Sequence, residues 1–232
     1  MMRMQRAAAL ALVIFVLGAG HAAAQDHKLT TYYLVVLMKG KAWSAEETPE
    51  RARIQEQHIA HLTKLGDQGV GLAAGPFGDG GDIRGLLIVA ATSDRQARKL
   101  EEADPAVKAG RLAIDVLPFM APDGWFHKPA MPFSMETVYF GFLNAGPTRF
   151  PDEPTANRLQ SEHMAYMTAQ NKEGRLILAG PFVSGGSRSG LVVYRAASAT
   201  EARRHAEGDP MVKFGRLEVE LHEWYVARGV LK

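Results

Sequence analysis

The chain has 232 residues, 47% of them hydrophobic, with no cysteine and a formal net charge of +2. That length and composition fit one large globular domain or two small ones, and the lack of cysteine means that the fold takes nothing from disulfides. The charge excess is Arg3 and Arg6; without them 25 basic residues face 25 acidic ones, a balance without the electrostatic footprint of a nucleic-acid binder.

The first predicted element is a secretory signal. Arg3 and Arg6 precede an uncharged apolar run over residues 7–18, which leads to the small residues Ala22, Ala23 and Ala24. The run falls short of the roughly 20 residues that a membrane-spanning helix needs. Cleavage after Ala24 is therefore expected, with a periplasmic or secreted mature protein and no membrane contact thereafter. Residues 32–38 (YYLVVLM), rich in β-branched and aromatic side chains, predict a buried strand. Thr48-Pro49 then pairs a capping hydroxyl with a proline at the first helical position. Ile54, His58, His61, Leu62 and Leu65 share one face of the helix that follows, and Gly69 ends it. Residues 70–74 and 86–91 predict strands around a glycine-rich hairpin turn over 78–85. Ser93-x-x-Gln96 opens a second helix as a capping box, Asp104-Pro105 breaks it, and residues 112–119 supply a last strand.

The same order then recurs. Residues 31–120 laid over residues 136–225 at a constant shift of 105 are identical at 27 of 90 positions, which marks a duplication. The identities gather at Gly69 and Gly174, at the Ala-Gly-Pro-Phe runs over 74–77 and 179–182, and at Asp104-Pro105 and Asp209-Pro210. The β-α-β-β-α-β order predicts an α+β fold: two tandem ferredoxin-like units, 28–120 and 136–232, each an antiparallel sheet with both helices on one face. A unit this small would leave the other sheet face bare, and the partner to cover it is on the same chain. Residues 121–135, rich in proline and aromatics, predict an extended strap over the surface.

A helical His, a Gly eleven residues on, Gly-Pro six residues later and an Asp-Pro closing the second helix resemble the YCII-related (YciI-like) family. Both units carry the pattern: His58, Gly69, Gly75-Pro76 and Asp104-Pro105, then His163, Gly174, Gly180-Pro181 and Asp209-Pro210. The resemblance implies a dimeric α+β barrel, usually built from two chains and here from one. It also implies a His and Asp pair in a pocket of each unit, with an enzymatic role suspected by analogy.

His58 and His163 are the candidate catalytic residues, because imidazole titrates near neutral pH and acts as general acid or base. Asp104 and Asp209 would hold the rings in one tautomer. The competing reading makes the histidines satisfied core residues and the aspartates caps that bond their own backbone. Lys108 with Arg111, and Lys213 with Arg216, are candidates for receiving an anionic group, or else solvated surface charges. The glycine-rich turns lack the Gly-Lys-Ser/Thr ending of a phosphate loop. His61 shares a helix face with His58, but the second unit has Tyr166 at that place, and no carboxylate stands at a convincing ligand spacing. No metal and no cofactor, haem included, is expected. The reading is a small-molecule protein with His/Asp acid–base chemistry of the lyase or isomerase kind, or a non-catalytic binding or scaffold module. Its chain is expected to be a monomer closed by its own duplication, or a weak homo-oligomer.

Overall fold

The computed structural model describes residues 28–184 and 186–231. The secretory-type segment over 1–24 lies outside the described residues. The first unit runs β1 (Leu29–Lys39), α1 (Pro49–Asp67), β2 (Gly71–Pro76), β3 (Ile83–Val89), α2 (Asp94–Glu102), α3 (Pro105–Lys108) and β4 (Leu112–Pro122). The second repeats it as β5 (Met135–Ala145), α4 (Glu153–Lys172), β6 (Leu176–Pro181), β7 (Arg188–Tyr194), α5 (Ala199–Glu207), α6 (Pro210–Lys213) and β8 (Leu217–Ala227). Each unit forms a four-stranded antiparallel sheet, in the orders β2-β3-β1-β4 and β6-β7-β5-β8. This is the duplicated ferredoxin-like α+β architecture that the sequence predicts.

The predicted helix starts have their physical causes in place. The Thr48 side chain accepts from the Arg51 amide at 3.1 Å, and Ser93 and Ser198 each accept from the third residue on at 3.2 Å. Gly69 and Gly174 leave the helix ends at φ of 72° and 70°, the left-handed region that glycine enters without cost. One helix position is poorly used. Gly66 lies inside α1, and a Cβ there would meet no atom within 4 Å. Gly66→Ala should therefore raise stability by about 0.5–1 kcal/mol, seen as a higher urea midpoint at unchanged slope.

Two features differ from the sequence reading. Asp104-Pro105 and Asp209-Pro210 do more than break α2 and α5: they start the one-turn helices α3 and α6, with Asp at the cap and Pro at the first position. The repeat also does not hold one constant shift. Tyr33 pairs with Val89 while Tyr139 pairs with Tyr194, so Tyr33 corresponds to Tyr139, one residue further along than the shift of 105 that holds from the helices onward. The second unit is one residue shorter between its first strand and first helix.

Alternation along the strands divides the core into layers. Tyr33, Val35 and Leu37 face the helices of the first unit, with Leu65, Leu87 and Ala97. Tyr139, Leu143, Met167, Tyr194 and Ala202 form the matching layer of the second unit. The intervening residues, among them Leu34, Val36, Phe119, Phe140, Phe142 and Trp224, make one central core from both sheets. The sheets are therefore packed face to face between two helical layers.

The rims of the two sheets are joined reciprocally. Phe77 bridges to Trp224, and Phe182 to Phe119. The Gly78 amide donates to the Glu223 carbonyl at 2.9 Å, and the Val183 amide to that of Pro118 at 2.8 Å. These are equivalent contacts exchanged about a pseudo-twofold axis, as in an isologous dimer. The strap between β4 and β5 adds a further tie, because buried Trp125 donates its Nε1–H to the Ile177 carbonyl at 2.8 Å. Met131 and Phe133 of the same strap are exposed.

Candidate active site

In each unit the long helix and the Asp-Pro turn bring an imidazole and a carboxylate together. His163, in the middle of α4, sets its Nδ1 2.6 Å from Oδ2 of Asp209. The other oxygen, Oδ1, accepts from the Met211 amide at 2.8 Å and so caps α6. His58 Nδ1 and Asp104 Oδ2 make the same contact in the first unit, where Oδ1 accepts from Ala106 at 2.7 Å. Each aspartate thus serves both readings at once: one oxygen caps a helix and the other holds an imidazole. All four residues are buried; His58 is 9% exposed and His163 6%. With Nδ1 bound to a carboxylate, each ring is held in one tautomer.

The first unit carries two more ionisable groups beside its dyad. Glu101, on α2, is fully buried, and neither of its oxygens has a hydrogen-bond partner. Its nearest cationic neighbour is Nε2 of His61, on α1, at 3.6 Å, which is too long for a hydrogen bond. Burial pushes the Glu101 carboxyl above the ordinary range and Asp104 adds to the effect, against the pull of His61. The facing Glu101 carboxylate raises the His61 imidazole, against burial that lowers it. Burial works to raise the Asp104 carboxyl as well, yet the bond to His58, with the Ala106 amide, outweighs it and holds Asp104 below the usual value. Two neighbouring carboxyls are therefore driven apart, one toward holding a proton and one toward charge. The second unit has Ala206 and Tyr166 at these places, and the Tyr166 hydroxyl donates to the His205 carbonyl at 2.6 Å.

The basic candidates separate. Lys108 and Lys213 are exposed. Arg111 is buried, stacked 4.3 Å above the Trp43 ring and donating to the Ser44 carbonyl at 2.7 Å. Arg84 lies over the same ring at 4.9 Å, with its Nε buried and lacking a hydrogen bond. Arg216 sits 5.6 Å from the Phe150 ring centre. Two arginines on one indole without a carboxylate between them make the better anion-receiving arrangement in the first unit.

Sequence reasoning missed Glu101 and a third pair, His222 with Asp79. Glu101 had a signal: it precedes Asp104 by three residues, as His58 precedes His61 by three. His222 and Asp79 had none, since they are 143 residues apart and meet only across the joint between the units. His222 also stacks on Phe77 at 4.4 Å and lines a cleft of about 220 Å³ with Tyr139, Arg203 and Glu223. A larger cleft, about 440 Å³, lies against Ala206, Val212 and Leu217. Neither cleft is lined by His58, Asp104, His163 or Asp209.

Two ferredoxin-like units, closed sheet to sheet with a His/Asp pair under each helical layer, define a single-chain dimeric α+β barrel. The chain belongs to the YCII-related domain family, whose profile matches it twice, over residues 32–120 and 143–225. A comparison with curated proteins finds no match. Among solved structures, a chlorite dismutase variant from Candidatus Nitrospira defluvii superposes with a TM-score of 0.55 at 10% identity, covering 86% of this chain and 92% of its own. A heme-binding protein from Thermus thermophilus superposes at 0.51 and 13% identity, over 87% and 93%. At such identities the likeness is one of fold. Heme is named for the Thermus protein. No helix among the described residues is long and apolar enough to cross a membrane.

Proposed function

We propose that this is an exported small-molecule protein whose His163–Asp209 and His58–Asp104 pairs act as general acid and base, in a reaction of the lyase or isomerase kind. The observation that carries the reading is the Nδ1 to Oδ2 contact of 2.6 Å at His163, repeated in the first unit. A carboxylate on Nδ1 fixes the tautomer and stabilises the imidazolium, so that Nε2 takes a proton from carbon or oxygen and returns it elsewhere. The substrate class is a small anion, supported by the guanidinium groups of Arg84 and Arg111 over Trp43. Export rests on the pattern of residues 1–24.

NMR titration of His163, with and without Asp209→Asn, tests the pair. Neutralising the carboxylate should change the tautomer balance of the ring, read from its two nitrogen shifts. Solvent deuterium incorporation into a panel of enolisable carboxylic acids then tests the chemistry, with a loss of about 100-fold or more expected in His163→Gln. A histidine indifferent to Asp209→Asn, with no exchange into any acid, would leave a non-catalytic binding module as the better reading. The near closure of both imidazoles favours that second reading.

A further inference from the structure

We propose that the first unit, and not the second, holds a divalent first-row metal ion between α1 and the α2–α3 corner. One donor atom each from His58, Glu101 and Asp104 lies within 4.8 Å of the others, and all three residues are buried. His61 stands beside them, its Nε2 buried and without a hydrogen bond. The four residues form two facing pairs: histidines three apart on α1, and carboxylates three apart across the end of α2. Donors around one ion at ~2.0–2.2 Å can stand about 4 Å apart, so small rotations of these side chains would close the shell. Imidazole and carboxylate together suit Zn²⁺ or Mn²⁺ more than Ca²⁺ or Mg²⁺.

Glu101 is what points to a ligand. A fully buried carboxyl group with no hydrogen-bond partner on either oxygen is a costly arrangement unless a ligand engages those oxygens. The second unit is the internal control. Ala206 replaces Glu101 and Tyr166 replaces His61, and a Cβ at Gly208 would stand 2.2 Å from the Tyr166 hydroxyl. Where the carboxylate is gone, tyrosine and glycine fill the space together; Ala103 occupies the corresponding place in the first unit. The inference assigns His58 and Asp104 to the ion in place of proton transfer and leaves the acid–base reading to His163 and Asp209, which it does not use.

The test is metal content and isothermal titration with Zn²⁺ and with Mn²⁺, on the intact two-unit protein after chelator treatment. One equivalent per chain should bind, with micromolar or tighter Kd for at least one of the two ions. Asp209→Asn should leave this unchanged. Glu101→Gln should weaken it by about 100-fold. The triple exchange His61→Tyr, Glu101→Ala and Ala103→Gly should abolish it; this variant carries the second unit's own residues and is checked for a native circular dichroism spectrum. Absence of binding, two equivalent sites, or binding that survives the triple exchange would each overturn the proposal.

Discussion

Gly75→Ala should cost about 3–4 kcal/mol of stability, and Gly180→Ala about the same. A Cβ on Gly75 would stand 1.8 Å from the Tyr225 carbonyl oxygen, and one on Gly180 2.1 Å from that of Met120. In both cases the obstacle is backbone of the other unit, which no rotamer change can clear. A methyl group can be admitted only by moving the sheet rims apart. That opening would strain the bridges from Phe77 to Trp224 and from Phe182 to Phe119, and the bond of 3.2 Å from Trp224 Nε1 to the Gly75 carbonyl. Urea unfolding followed by tryptophan fluorescence would measure the loss, since Trp224 is fully buried in the native state. A change below about 1 kcal/mol in either variant would mean that the joint yields more easily than its contacts imply.

Asp209→Ala is expected to cost about 3 kcal/mol and Asp209→Asn about 1 kcal/mol. The alanine removes the cap of α6, worth about 1 kcal/mol, and leaves the buried His163 Nδ1 without its carboxylate, worth about 1–3 kcal/mol more. Asparagine keeps an oxygen for the Met211 amide and loses only the charge that faces the imidazole. The two variants therefore separate the structural from the proton-handling oxygen of one side chain. Equal losses in thermal or urea unfolding would show that the charge, and not the cap, is what matters at this position.

Much of this was legible in the sequence. The order of elements and the caps at Thr48, Ser93 and Ser198 follow from local signals, while the meeting of His58 with Asp104 follows from the resemblance to the YCII-related family. What was not legible depended on neighbours distant in the chain. The Ala-Gly-Pro-Phe runs stood out as identical, but the reason for their glycines is a carbonyl about 150 residues away in one case and about 60 in the other. The altered register of β5 was hidden because a gapless match already paired most of the chain. Tyr33 with Tyr139, Leu37 with Leu143 and Gly40 with Gly146 emerge only when one residue is dropped after the first strand. The one-turn helices are too short to show a period. An acid on a helix as charged as α2 reads as solvated, and only the packing of α1 against α2 and α3 shows Glu101 buried.

The strap from β4 to β5 has a consequence for assembly. A barrel closed by two separate chains comes apart when its protomers are diluted below their dissociation constant. Here each sheet meets its partner within the same molecule, at an effective concentration in the millimolar range for a connection this short. Closure is then first order, so the unfolding midpoint should not move with protein concentration. Contacts across the joint can also be individually weaker than a two-chain barrel would require.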